Sequence, residues 1–248
     1  MKKIGIIGYH GVGHLKVINI ANDLVQKNYD ISIYAFPFKK NKKKKKNKNT
    51  FQDRPDPILK NFDFQIFCKK NNIKYYKMSG WNEESLKLFN KNNQNKVYLH
   101  CIKKIIPENF IRGNIILNAH PGILPLARGI DSFKWTIINT LPIGVTLHKI
   151  DKYIDCGTVI KRSYIYIDKF DKLSDIVNKS FNLECFLLSN FEFYLKNLKK
   201  NEKIQNSSFY FSNKISTSDE KNIEKIFKKK INNFKRKFEY YSNKETLK

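Results

Sequence analysis

The stretch NIILNAHPG, Asn114-Ile115-Ile116-Leu117-Asn118-Ala119-His120-Pro121-Gly122, decides how this chain of 248 residues is read. An apolar run stops at an asparagine and a histidine two residues apart, and a proline follows at once. Residues two apart in an extended chain project on the same side, so the amide of Asn118 and the imidazole of His120 share one wall. Pro121 disfavours the helical region for the residue before it and so keeps His120 extended. Further along, the loop in KYIDCGTVI sets an acidic residue, Asp155, beside the next strand-like run.

Working outward, the flanking segments alternate between strand and helix signals. KKIGIIGYHGVGH reads as a buried strand entering a Gly-rich turn, and DISIYAF as a second strand. Between them, LKVINIANDLVQKN carries Leu15, Ile18, Ala21 (or Asn22) and Val25 at helical spacing. A βαβ start calls for a parallel sheet, because the crossover is right-handed and must bury the sheet's faces. ILKNFDFQIFCKKN and NEESLKLFNKN read as helices flanking the strand IKYYKM. KVYLHC and NIILNA are buried strands around IIPENFI; IDSFKWTIIN is helical; IGVTLHKI and GTVIKRSYIYI are β. The predicted class is α/β: a Rossmann-like, mostly parallel sheet flanked by helices over residues 1–170. Residues 171–248 read as a mainly helical extension, with one long apolar helix over 171–199. A capping box at Thr217-x-x-Glu220 opens the last helix, with Ile223, Ile226, Phe227, Ile231, Phe234 and Phe238 along one face. The tail's one strand signal is the short aromatic run SSFYF. The Lys/Asn-rich stretch at about 39–56 can bury nothing and is predicted to be a mobile loop.

Hydrophobic residues make up 41% of the chain, including 19 Phe and 13 Tyr, so a sizeable core is possible despite a mean hydropathy of −0.55. The formal net charge of +26 raises nucleic acid as a partner. Eight lysines fall within 39–48 and ten basic residues against four acidic ones within 220–248, while the rest scatter beside asparagines. A nucleic-acid footprint would gather on one face, so this pattern reads as solvated surface that helps attract a polyanionic substrate. Four cysteines lie far apart with no CxxC pair, which argues against a zinc site and a disulfide framework and suits a reducing compartment. The first apolar run is too short for a signal peptide and no window reaches the length of a membrane span, so the cytoplasm is the expected location.

In a parallel sheet the carboxyl ends of the strands carry the site. An Asn–His–Asp set there suits transfer of an acyl-like group to an amine. The imidazole can take the proton the amine sheds, the amide N–H can meet a developing oxyanion, and the carboxylate can orient the imidazole and stabilise its cation. No nucleophilic Ser or Cys stands beside His120, so direct attack by the amine is simpler than a covalent intermediate. On residues alone, a satisfied polar strand end at His120 and a plain turn at Asp155-Cys156-Gly157 fit as well. Gly8, Gly11 and Gly13 form a GxxGxG run that fits either a tight turn or phosphate contact at a helix start. His148 and Asp151 read as structural.

The block NAHPGILPLARGIDSFKWTIINTLPIGVTLHKIDKYIDCGTVI resembles the core of the folate-dependent formyltransferases. Their pattern runs Asn-x-His-x-x-x-Leu-Pro, Arg-Gly, Gly-Val-Thr-x-His, Asp-x-Gly. Asn118, His120, Leu124-Pro125, Arg128-Gly129, Gly144-Val145-Thr146, His148, Asp155 and Gly157 meet every anchor within about 96–167. The resemblance implies 10-formyltetrahydrofolate as one-carbon donor, an amine acceptor, no metal, and Asn118, His120 and Asp155 as the catalytic trio. It implies a folate pocket along Ile102, Lys103, Lys104 and Ile105 and beside the loop before Asp155, with substrate contacts at Gly8, His10, Gly11 and Arg128. The wording is most similar to the sugar N-formyltransferases acting on nucleotide-linked 4-amino-4,6-dideoxysugars such as GDP-perosamine, which implies a role in surface polysaccharide (lipopolysaccharide) biosynthesis. The tail helices would then either form a homodimer interface or cap the sheet. Methionyl-tRNA formyltransferases usually carry a C-terminal β-barrel, for which this tail has too little strand. GYHGVGH departs from the Gly-Asn/Ser turn of glycinamide ribotide transformylases. A 10-formyltetrahydrofolate hydrolase and a basic RNA-binding protein complete the alternatives.

Overall fold

The computed structural model describes residues 2–10, 13–38, 51, 58–59, 62–91, 97–198, 202–204 and 211–246. Most of the Lys/Asn-rich stretch, Gly11, and residues 205–210 of the SSFYF region lie outside them. The chain opens with β1 (Lys2–His10), β2 (Gly13–His14), α1 (Leu15–Gln26) and β3 (Tyr29–Pro37). β4 (Ile58–Leu59), α2 (Phe64–Lys70), β5 (Lys74–Lys77) and α3 (Glu83–Lys91) follow. The central part holds β6 (Val97–His100), α4 (Glu108–Ile111), β7 (Ile115–His120), β8 (Arg128–Gly129), α5 (Ser132–Ile138), β9 (Gly144–Lys149) and β10 (Thr158–Tyr164). The tail adds α6 (Leu173–Ser189), α7 (Phe191–Lys196), β11 (Glu202–Lys203), β12 (Phe211–Ser212) and α8 (Thr217–Thr246).

Eight strands form one sheet in the order β11-β10-β9-β7-β6-β1-β3-β5. The five from β7 to β5 are parallel, and β9, β10 and β11 continue antiparallel from β7. The sheet is mostly parallel, as expected. Strand order reverses beside β1, so the crevice outside the carboxyl ends of β1 and β6 lies at a topological switch point.

The period-2 alternation of strands divides the core between two faces. Ile4, Ile6, Ile31, Ile33, Leu99, Leu117, Ala119, Val145 and Leu147 pack with α1 and α6. Ile7, Tyr34, Phe36, Tyr98 and Ile116 pack with Phe89 of α3 and Phe110 of α4 in a largely aromatic layer. α1 is covered by both the sheet and α6, so its buried set is Val17, Ile18, Ile20, Ala21 and Leu24, wider than the stripe through Leu15 and Val25 that spacing alone suggests. The extension shares these cores. Phe181, Cys185, Leu187 and Leu188 of α6 join the first, while Leu173, Ile176 and Val177 join Ile223, Phe227 and Phe234 of α8 against Phe133 and Ile137 of α5.

Several boundaries move for identifiable reasons. The helix expected over 58–71 shortens to α2, because Ile58–Leu59 pairs antiparallel with Gly13–His14 and the Asp63 carboxylate caps Gln65 and Ile66 at 2.9 and 3.0 Å. The helix expected over 171–199 breaks at Asn190, whose amide donates to the Phe186 carbonyl at 2.8 Å and competes with the helical ladder. The N-cap is Ser216, one residue earlier than expected: its Oγ accepts the Asp219 N–H at 3.1 Å and donates to Asp219 Oδ2 at 2.7 Å, and Glu220 turns away to pair with Lys134. All four cysteines are buried free thiols, and among the described residues no helix is long and apolar enough to cross a membrane.

One buried ion pair ties the extension to the βαβ start: Lys16 Nζ of α1 lies 2.7 Å from Glu184 Oε2 of α6, with side chains 5% and 1% exposed. Removing one member leaves a buried charge without its partner, at a cost of about 3–5 kcal/mol. Glu184→Gln is expected to lower the urea midpoint accordingly, and Lys16→Met with Glu184→Leu to recover most of the loss. A Gln variant as stable as the wild type would show the pair to be energetically idle.

Candidate active site

β7 delivers Asn118 and His120 to the aromatic-layer face of the sheet, two residues apart at the strand's carboxyl end. In the antiparallel register of β9, Asn118 stands opposite His148 and His120 opposite Thr146, so all four share that face. On the other flank, parallel pairing sets His100 of β6 opposite Asn118. Three adjacent strands therefore present one row: His100, Asn118, His148.

Asp155 reaches this row from a loop that doubles back. Gly157 crosses so close over the end of β9 that a Cβ there would lie 1.6 Å from the Lys149 carbonyl oxygen, so only glycine allows β10 to begin where it does. Asp155 itself has φ 52°, the left-handed turn conformation that aspartate tolerates better than most residues. The turn is held from β8: Arg128 Nε donates to the Ile154 carbonyl at 2.8 Å, and the Gly129 N–H donates to Asp155 Oδ2 at 3.0 Å. The other carboxylate oxygen, Oδ1, is 3.5 Å from His120 Nδ1 and 3.9 Å from His148 Nε2.

His120 Nε2 lies 2.8 Å from the Ala127 carbonyl oxygen, which can only accept, so the neutral ring carries its proton on Nε2. Nδ1 is then a lone pair facing Asp155, the atom at which this ring can receive a proton. The loop bearing Ala127 is pinned by Thr146, whose hydroxyl accepts from Leu124 N–H at 3.0 Å and donates to the Gly122 carbonyl at 2.8 Å. Burial pushes the Asp155 carboxyl pKa upward, but His120, His148, the Gly129 N–H and Arg128 outweigh it, and the net shift is below the ordinary carboxylate value. Asp155 is thus an anion at neutral pH inside a largely water-excluded cluster.

His148 is 1% exposed, and desolvation lowers its pKa to about 4 against the opposing pull of Asp155. It is neutral at physiological pH. Its Nε2 accepts from the Asn118 amide nitrogen at 3.2 Å, which fixes the amide's orientation. His148 therefore belongs to the cluster, against the structural reading that the sequence suggested. The alternation of IGVTLHKI put Thr146 and His148 on one face, but only the strand order shows that this face meets Asn118.

The other expected contacts divide. Arg128 is buried, and its Nε–H is committed to the Ile154 carbonyl, which holds the Asp155 loop. Gly8 packs under α1, where an added Cβ would meet Val17 Cγ2 at 3.0 Å. By strand alternation Gly8 and His10 fall on the face opposite the cluster, and Tyr9 falls on the cluster's face, where its hydroxyl accepts the Lys103 N–H at 2.9 Å. Burial lowers the His10 pKa, and the Lys77 and Lys104 ammonium groups lower it further.

In the expected folate loop, Ile102 is buried in the aromatic layer, Lys104 Nζ donates to the Pro37 carbonyl at 3.0 Å, and Ile105 is 69% exposed. A cavity of about 580 Å³ opens lower on the sheet, between the α4–β7 segment (Glu108 to Ile115) and Lys149 to Tyr153, the residues that lead to Asp155. None of residues 102–105 lines it.

A Rossmann-like sheet with amide, imidazole and carboxylate gathered at the carboxyl end of one central strand defines a group-transfer class of α/β protein. The sequence model of the formyl transferase family, described as Formyl transferase, matches residues 20–191, and the chain belongs to that family. Over 85 residues it is 32% identical to a dTDP-4-amino-4,6-dideoxyglucose formyltransferase of Mycobacterium tuberculosis, covering 34% of this chain and 36% of that protein. Over 74 residues it is 31% identical to a GDP-perosamine N-formyltransferase of Brucella melitensis, covering 28% of each. These matches span about a third of the curated relatives' length. The fold is similar to that of an N-formyltransferase of Helicobacter canadensis solved with folinic acid and dTDP-3-aminofucose, with TM-score 0.58, 19% identity, and 92% of this chain and 81% of that chain covered.

Proposed function

We propose that this protein transfers a formyl group from 10-formyltetrahydrofolate to the amine of a nucleotide-linked amino-deoxysugar used in surface polysaccharide. The observation that carries the reading is the His120 ring, tied at Nε2 to a carbonyl and facing an anionic Asp155 with its free Nδ1. In this reading His120 Nδ1 takes the proton shed by the attacking amine, Asp155 stabilises the resulting imidazolium, and Asn118 offers an amide N–H to the charge developing on the formyl oxygen. The folate supplies an activated formyl group when bound.

The residues fit a reduced folate. The exposed apolar side chains of Ile105, Tyr153 and Ile154 stand on the two loops that flank the cluster, where a flat heterocycle could cover them. The relatives named for amino-sugar formylation and the structural neighbour solved with folinic acid and an aminofucose nucleotide support the choice of substrates.

A screen of nucleotide-linked 3-amino and 4-amino deoxysugars with the folate donor, read by mass gain of one formyl group, tests this. Formylation of none of them, with methionyl-tRNA formylated instead, would replace the acceptor. The net charge of +26 favours that second reading, which further predicts a steep loss of activity with salt as counterion release is suppressed, where a diphosphate sugar responds mildly.

A further inference from the structure

His100 is the member of the three-strand row that neither the expected trio nor the proposed chemistry uses. Its ring is buried, it stands opposite Asn118 in the β6–β7 register, and its Nε2 lies 3.1 Å from the carbonyl oxygen of Lys104. Since that oxygen only accepts, Nε2 carries the ring's proton. Its Nδ1 is buried and has no hydrogen-bond partner among the described residues. Desolvation, reinforced by the nearby Lys16 ammonium, lowers the His100 pKa to about 4, so the ring stays neutral and its tautomer fixed. Such a polar ring is costly to bury unless its bonds matter to the arrangement around it.

We propose that His100 is a positioning residue that ties the loop of Ile102–Ile105 to the end of β6 beside Asn118. Its bond to the Lys104 carbonyl sets the backbone of the segment that would read the folate, and its place opposite Asn118 in the β6–β7 register sets that segment beside the amide that would meet the formyl oxygen. The two ends of the donor's reacting half are thereby registered to one another by a rigid, uncharged ring. This inference rests on the formyl-transfer reading.

The test compares three substitutions. His100→Phe keeps the volume and loses the bond, His100→Asn places its amide short of the Lys104 carbonyl, and His100→Gln reaches it. The probe is 5-formyltetrahydrofolate, titrated calorimetrically, beside steady-state kinetics with the formyl donor. Phe and Asn are expected to weaken binding of the probe about tenfold, the scale of one lost hydrogen bond, with a matching rise in KM for the donor. Gln is expected to bind within about twofold of wild type. In the free protein, amide hydrogens of 102–106 should exchange faster in the Phe and Asn variants. Wild-type probe affinity in Asn, or equal losses in Asn and Gln, would reduce His100 to packing and overturn the inference. A wild-type protein that binds no reduced folate overturns the formyl-transfer reading itself, a result separable from either.

Discussion

Asp155→Asn should lower turnover by at least about a hundredfold, equivalent to about 2.7 kcal/mol of transition-state stabilisation. The substitution nearly preserves shape. The new amide oxygen can still accept from the Gly129 N–H, as Asp155 Oδ2 does now at 3.0 Å, and Arg128 still holds the Ile154 carbonyl. The loop should therefore keep its course and the melting temperature should move little. What changes is the group 3.5 Å from His120 Nδ1. An amide nitrogen there donates to the lone pair that must receive the amine's proton, and the negative charge that stabilises the imidazolium is gone. The measurement is kcat with the formyl donor and the best amino sugar of the screen, paired with a thermal melt. Near-wild-type kcat would show that the carboxylate does not act on the reacting base.

His120→Ala should cost at least as much, because it deletes the proton acceptor itself, whose contribution is typically about 10²–10⁴-fold. The cavity it leaves also deprives the Ala127 carbonyl of its donor. Some loss of stability is thus expected alongside the loss of rate, and two controls separate them. Binding of 5-formyltetrahydrofolate should persist, since the loop of Ile102–Ile105, where the folate is proposed to bind, makes no hydrogen bond to His120. The double variant with Asp155→Asn should be little slower than either single one, as for groups that act as a unit. Multiplicative losses in the double variant would mean that the two residues contribute independently, and the proposed proton path would be wrong.

Both predictions concern residues that the sequence singled out, and the reasons they could be found there are local. Asn118 and His120 occupy one apolar strand ending at a proline, so their shared side follows from the alternation of a single chain. Asp155 was legible only with the family-like pattern, since its reach depends on a loop that turns back across the sheet at Gly157. His148 and His100 were not legible as partners. Each is an ordinary histidine on an alternating strand, and its company is set by neighbours 30 and 18 positions away in sequence. Arg128 adds a contact that its pattern match does not show: its Nε–H holds the Ile154 carbonyl beside Asp155.

The sequence by itself determined the α/β class, the order of the longer strands and helices through β10, and the helical tail, because amphipathic period, proline and glycine act within a few residues; the two-residue strands β2, β4 and β8 and the short α4 carry no such signal. Tertiary structure decided the rest. It chose the strand order that sets His100, Asn118 and His148 in one row, the face on which that row lies, and the buried contacts that keep Asp155 an anion despite its burial, keep His100 and His148 neutral and place Asp155 beside His120. Charge state and hydrogen-bond partner depend on what surrounds a group in three dimensions, and desolvation has no signature in one dimension.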